Sequence, residues 1–151
     1  MAAQRFTQPD PTRRSMLLTA LYVAEHQYGY LSPEAIERVG ERLGMSTTEV
    51  YEAASFYSMY KWEPTGRYTI QVCEGLSCHL AGGAESLVDY LRRKLGIDPG
   101  ETTPDRLFTL LTVQCLASCG SSPVMRINDT LYENLTFDQA DMILDELRGG
   151  G

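Results

Sequence analysis

No apolar stretch in this chain runs for more than a few residues, so no segment is long enough to cross a bilayer as a helix. Basic residues are in deficit: 13 Lys plus Arg stand against 20 Asp plus Glu, a net charge of −7. A surface this acidic is a poor ligand for nucleic acid or an anionic membrane, so neither is expected as a partner. Neither G-x-G-x-x-G nor a P-loop occurs, which leaves the chain without a nicotinamide, flavin or nucleoside-triphosphate signature of its own. A secretory apolar region is also missing, because Glu25 and His26 interrupt the run from Met16 to Ala24. Arg5, Arg13 and Arg14 occur near the start, but Asp10 is present and no serine precedes Ser15, which argues against a mitochondrial presequence. The expected location is the cytoplasm. Cysteine is scarce, with four in 151 residues. A chain of this length buries about two-thirds of its unfolded surface and needs no disulfide framework. Hydrophobic residues at 43% and charged residues at 22% exclude disorder.

What is present falls into two parts. Up to Pro64 the apolar spacing is helical. Leu17, Leu18, Leu21 and Ala24 recur at three and four residues, ending near Tyr28-Gly29. Ser32-Pro33 reads as an N-cap with proline at the first helical position. Ile36, Val39 and Leu43 give that helix a buried face, and Gly44 ends it. Ser46-Thr47-Thr48-Glu49 is a capping box, with Val50, Ala53, Ala54 and Tyr57 as the stripe of the helix it opens. After the turn Pro64-Thr65-Gly66 the period changes to two. Tyr68, Ile70 and Val72 mark a strand running into Cys73, and Leu107 to Val113 a second running into Cys115. Between them, Gly82-Gly83 opens a helix carrying Leu87, Val88, Leu91 and Leu95. A hairpin follows, turning at Asn128-Asp129. The capping box Thr136 to Gln139 then opens a last helix with Ala140, Ile143, Leu144 and Leu147 inward, and the glycines at 149 to 151 are expected to fray.

The expected architecture is α/β. An N-terminal helical subdomain, residues 1–65, precedes residues 66–151, where strand, helix, strand, hairpin and helix make a thioredoxin-like domain. The first two strands should be parallel with a right-handed crossover.

All four cysteines lie in the second part. Four residues separate Cys73 from Cys78, and three separate Cys115 from Cys119. Each pair begins where a predicted strand enters a loop, so parallel neighbouring strands would bring all four thiols to one sheet edge. Four readings are compatible with this. A [2Fe–2S] cluster takes two thiolates per iron and suits two pairs on facing loops. The small residues Gly75, Ser77, Ala81, Gly82 and Gly83, and Ala117, Ser118, Gly120, Ser121 and Ser122, let backbone N–H groups approach the sulfides. Structural zinc prefers tighter C-x-x-C knuckles. Disulfides are disfavoured without a secretory signal. A thioredoxin-type redox pair also wants C-x-x-C, which neither pair has.

Val72-Cys73-Glu74-Gly75-Leu76-Ser77-Cys78, with Gly82-Gly83 after it, resembles the first cluster motif of the small [2Fe–2S] subunit of bacterial respiratory complex I (the E subunit of NADH-quinone oxidoreductase, the 24 kDa subunit family). Val113 to Gly120, followed by Pro123-Val124 and Ile127-Asn128, resembles its second motif. Upstream, Val50 to Tyr57 and Tyr30-Leu31-Ser32 are similar to its helix and interhelix turn, so the likeness covers roughly Met16 to Leu147. The resemblance implies a thioredoxin-like [2Fe–2S] ferredoxin domain behind N-terminal helices. It implies one cluster held by Cys73, Cys78, Cys115 and Cys119. It also implies electron exchange with a flavin-bearing, NADH-oxidising partner subunit, where FMN and NADH would bind, together with further iron–sulfur subunits. Such a protein is part of an enzyme without being catalytic alone, and is peripheral to the membrane through its complex. The family commonly has glycine where this chain has Ala117, and a methyl group there is expected to be tolerated. The corresponding subunit of an NAD-linked hydrogenase or formate dehydrogenase is an alternative; a zinc-stabilised adaptor is one of a different class.

Other features are expected to be bland. His79 and Glu74 read as solvent-facing loop residues, and Gly82-Gly83 as close backbone packing. Phe56, Tyr57, Tyr60 and Trp62 read as core or interface.

Overall fold

The computed structural model describes residues 11–150, so the observations on Arg5, Asp10 and the final glycine lie outside the described residues. The chain divides into two compact units, the first ending at Pro64 and the second starting at Thr65.

The first unit holds helices α1 (Pro11–Ser15), α2 (Leu17–Tyr28), α3 (Pro33–Leu43) and α4 (Thr47–Phe56). Local chemistry sets their ends. Gly29 and Gly44 stop α2 and α3 in the left-handed conformation, at φ 82° and 67°. Ser32 Oγ accepts from the Ala35 amide, and Ser46 and Glu49 form the reciprocal capping box of α4. Leu17, Leu21, Leu31, Ile36, Val39, Val50 and Ala54 build one core. Tyr57 does not join it. Helix α4 ends at Phe56, and Tyr57 takes extended backbone at φ −98° and ψ 113°, so the helical period no longer governs where its ring points. Tyr60 fills the core instead, its hydroxyl donating to the Leu18 carbonyl at 3.0 Å.

The capping box makes this unit acid-sensitive. The Ser46 amide and hydroxyl, with Arg14 beside them, hold the Glu49 carboxyl below the ordinary glutamate range. A depressed folded pKa adds stability above the unfolded value, and that stability is lost as the pH falls through the folded one. The melting temperature of the helical signal should therefore decline below about pH 4.3. Glu49→Gln keeps an acceptor for Ser46 but carries no charge. It should flatten that decline in a series of thermal melts across pH.

The second unit holds β1 (Tyr68–Cys73), α5 (Leu76–Leu80), α6 (Ala84–Leu95), β2 (Phe108–Val113), a 3-10 turn at Cys119–Ser121, β3 (Met125–Ile127), β4 (Thr130–Tyr132) and α7 (Phe137–Gly149). The strand order is β2-β1-β3-β4. Strands β1 and β2 are parallel, and the other pairs are antiparallel. In central β1 Thr69 is buried along with Ile70 and Val72, so strict alternation fails there, while Gln71 stays half-buried and accepts from Arg126 of β3. Ile70, Val72, Leu87, Leu91, Phe108, Leu110, Met125, Ile127 and Leu144 form the core of this unit. Helices α6 and α7 lie side by side, with Tyr90 stacked on Phe137 at 4.7 Å and Lys94 paired to Asp141 at 3.1 Å. Helix α7 extends through Gly149. Among the described residues, no helix is long and apolar enough to cross a membrane.

Candidate metal centre

The parallel pair β1–β2 places the cysteines. Cys73, the last residue of β1, is the register partner of Val113, the last of β2. Both chains therefore leave the sheet at the same edge. One more ladder bond, Glu74 N to Val113 O at 2.8 Å, holds the two exits together. On the other side of β1, Cys73 N donates to the Val124 carbonyl at 3.1 Å. The first loop then winds into α5, which carries Cys78. The second passes Cys115 and enters the 3-10 turn that begins at Cys119.

The loops are locked together by groups that point at sulfur. Ser122, in the second loop, lies with Oγ 3.2 Å from the Cys78 sulfur. The amides of Gly75 and Leu116, one from each loop, lie close enough to the Cys73 sulfur to favour its thiolate. The Ala117 amide donates to the Cys115 sulfur at 3.3 Å. Cys73 and Cys78 are 4% and 2% exposed and pack with Ala84 and Val124, while Cys115 and Cys119 are exposed. Burial pushes the Cys73 thiol up, but the amides of Gly75 and Leu116, with Cys78, outweigh it and bring the thiol below its ordinary value. Burial, reinforced by Cys73, raises that of Cys78. Among the described residues, no three His, Cys, Asp or Glu side chains close round a single-ion site.

Two glycines are required by space. A Cβ on Gly75 would lie 2.8 Å from the Gln114 carbonyl oxygen, and one on Gly83 would lie 2.0 Å from Pro123 Cγ. A side chain at Gly83 must displace Pro123 and the loop before it, at a cost of about 1–3 kcal/mol. This is the close backbone packing expected of Gly82-Gly83. Ala117 differs from expectation. Its methyl group is exposed and has room, yet its backbone sits at φ 59°, where a non-glycine residue costs roughly 1–2 kcal/mol.

His79 and Glu74 are exposed, as expected. A residue that the sequence did not flag is Glu133. Its carboxylate reaches Ser118 and Ser121 beside Cys119, although it stands 14 positions further along the chain (133 − 119), brought back by the β3–β4 hairpin. The donor set suits an iron–sulfur group: thiols in two loops, backbone N–H groups aimed at their sulfurs, and close approaches that only glycine permits.

Comparison with known proteins agrees. The family model described as thioredoxin-like [2Fe–2S] ferredoxin matches residues 3–148. NADH-quinone oxidoreductase subunit 2 of Thermus thermophilus is 46% identical over 143 residues, covering 94% of this chain and 78% of the relative. An E subunit (E 2) of the NADH-quinone oxidoreductase of Rhizobium meliloti is 42% identical over 138 residues, covering 91% and 82%. Among solved structures, an air-oxidized NAD+-reducing [NiFe]-hydrogenase superposes with a TM-score of 0.78 at 23% identity. That match covers 99% of this chain and 24% of the hydrogenase chain, and shows a shared fold.

Proposed function

The chain belongs to the thioredoxin-like [2Fe–2S] ferredoxin family, alongside the E subunits of NADH-quinone oxidoreductase, and from that premise we propose that it is the electron-transfer subunit of such a complex. Cys73 and Cys78 hold one iron of a single [2Fe–2S] cluster, and Cys115 and Cys119 hold the other. The observation that carries this reading is the β1–β2 register, which delivers both cysteine loops to one sheet edge. When bound, the cluster supplies one-electron transfer, and the protein supplies placement and tuning.

The chain's own residues divide the work. The amides of Gly75 and Leu116 stabilise thiolate charge on Cys73, and the Ala117 amide donates to the Cys115 sulfur. Ala84 and Val124 keep water from the Cys73–Cys78 side. The exposed Cys115–Cys119 side is left open to a partner. That partner is a flavin-bearing, NADH-oxidising subunit, with FMN and NADH bound there, and further iron–sulfur subunits complete the complex. Residues 1–65 form a helical docking subdomain and 66–151 the cluster domain. The complex places the chain at the cytoplasmic side of the membrane.

Full-length protein purified anaerobically, after expression with iron–sulfur assembly intact, should contain two irons and two acid-labile sulfides per chain, as a [2Fe–2S] cluster requires. On reduction it should give the electron paramagnetic resonance signal of an unpaired spin. One zinc per chain with no sulfide would overturn the reading in favour of a zinc-stabilised adaptor. Co-purification with hydrogenase or formate dehydrogenase subunits would keep the chemistry and change the complex.

A further inference from the structure

The second cysteine loop is held by a residue that belongs to neither loop. Glu133 directly follows β4, and its Oε1 accepts from the hydroxyls of both Ser118 and Ser121. Those hydroxyls are themselves 2.8 Å apart. Ser118 precedes Cys119, and Ser121 closes the 3-10 turn that Cys119 opens. Backbone bonds run beside this contact: Asn134 N to Ser121 O at 2.7 Å, and Leu135 N to Pro123 O at 3.1 Å. The Glu133 carboxyl lies below its usual range because Ser118 and then Ser121 donate to it. Hydrogen bonds to an ionised acceptor are roughly twice as strong as neutral ones.

The clamp acts where the loop is most exposed, beside the contact of Ser122 with Cys78. Cys115, Ala117, Cys119 and Gly120 are exposed, and Ala117 carries a left-handed backbone. Leu116 is packed against the buried Cys73–Cys78 group, but it lies at the other end of the loop from Cys119. A flexible loop would have to be ordered at the moment of metal binding, whereas a clamped one presents its thiols already placed.

We propose that Glu133 is a positioning residue for the cluster: its carboxylate fixes the Cys115–Cys119 loop by gripping Ser118 and Ser121. The cluster readout of this proposal rests on the ligand assignment above; the loop readout does not. In the metal-free full-length chain, Glu133→Ala should speed amide hydrogen exchange at Ser121 and Asn134 by about tenfold or more. Glu133→Gln keeps an Oε1 acceptor for both hydroxyls and should return exchange to within about threefold of wild type. In the iron-loaded chain, loss of visible absorbance to a chelator should accelerate about tenfold in Glu133→Ala and be restored in Glu133→Gln. Glu133 is exposed, so the melting temperature of the metal-free chain should not move. Unchanged exchange in Glu133→Ala, a Gln variant that behaves like Ala, or a lowered metal-free melting temperature would each overturn the proposal. A wild-type chain that takes up no iron or sulfide would refute the ligand assignment instead, and amide exchange alone would then decide the clamp.

Discussion

Cys115→Ala is expected to abolish the visible absorbance of the iron-loaded protein and to remove the whole difference in melting temperature between loaded and metal-free chains. Among the four proposed ligands Cys115 is a clean one to remove, because its side chain is exposed. Trading it for alanine sacrifices no packing, and exposed substitutions ordinarily stay within about 0.5 kcal/mol. The metal-free variant should therefore melt with the metal-free wild type. Metal binding is partly folding free energy. If the cluster contributes about 2 kcal/mol to the C-terminal unit, its loss lowers the loaded protein's melting temperature by about 10 °C. Cys78→Ala would be a poorer test, since Cys78 is buried against Cys73, Ala84 and Val124 and its loss leaves a cavity as well. A Cys115→Ala protein with full iron content and unchanged melting would refute the ligand assignment.

The second large effect concerns the partner. Phe56 is 83% exposed and Met59 59%, next to the exposed rings of Tyr57 and Trp62. Phe56 meets Tyr57 edge-on at 5.2 Å, and Tyr51 meets Trp62 at 5.3 Å, so the first unit exposes two aromatic pairs. Aromatic side chains and Met are enriched at interface cores, and anchoring aromatic residues commonly contribute about 2 kcal/mol or more each. The double variant Phe56→Ser, Met59→Ser should weaken binding to the proposed flavin-bearing subunit by about a hundredfold, with the helical circular dichroism unchanged. Leu76→Ser with Leu80→Ser tests the competing face, because both leucines stand exposed on α5 around Cys78. If that pair abolishes binding while Phe56 and Met59 are dispensable, docking belongs to the cysteine loops and the aromatic surface has another role.

The elements that sequence revealed most clearly are those whose signal is periodic or local. Both capping boxes, Ser46 with Glu49 and Thr136 with Gln139, close in the structure, because each needs only four consecutive residues. The parallel pair and the antiparallel hairpin followed from strand–helix–strand and the Asn128-Asp129 turn, whereas the placing of the hairpin beside β1 rather than β2 shows only in the folded sheet. Helix α5 and the 3-10 turn were not legible: five and three residues are too few to show a period. Tyr57 was misplaced by a helix that stops one residue earlier than its apolar stripe. Ala117 was judged by the bulk of its methyl group, whereas its backbone angle is what favours glycine there. Glu133 left no trace, since its partnership with Ser118 and Ser121 exists only once the hairpin has folded.

The β1–β2 register also decides where this chain can change length. Six consecutive pairs, from Tyr68–Phe108 to Cys73–Val113, separate the cysteine edge of the sheet from the opposite edge, a run of roughly 20 Å. The connection from Gly96 to Leu107 arrives at that far edge and carries none of the cysteines. Residues inserted at its turn near Pro104–Arg106 would be absorbed as surface loop and leave the thiols where they are. One residue inserted between Phe108 and Val113 would send the following side chains to the opposite face of the strand. The loop that carries Cys115 would then leave the sheet edge on the wrong face, with every cysteine still present in the sequence. For this fold, the count of residues before a cysteine matters less than which side of the sheet they are added on.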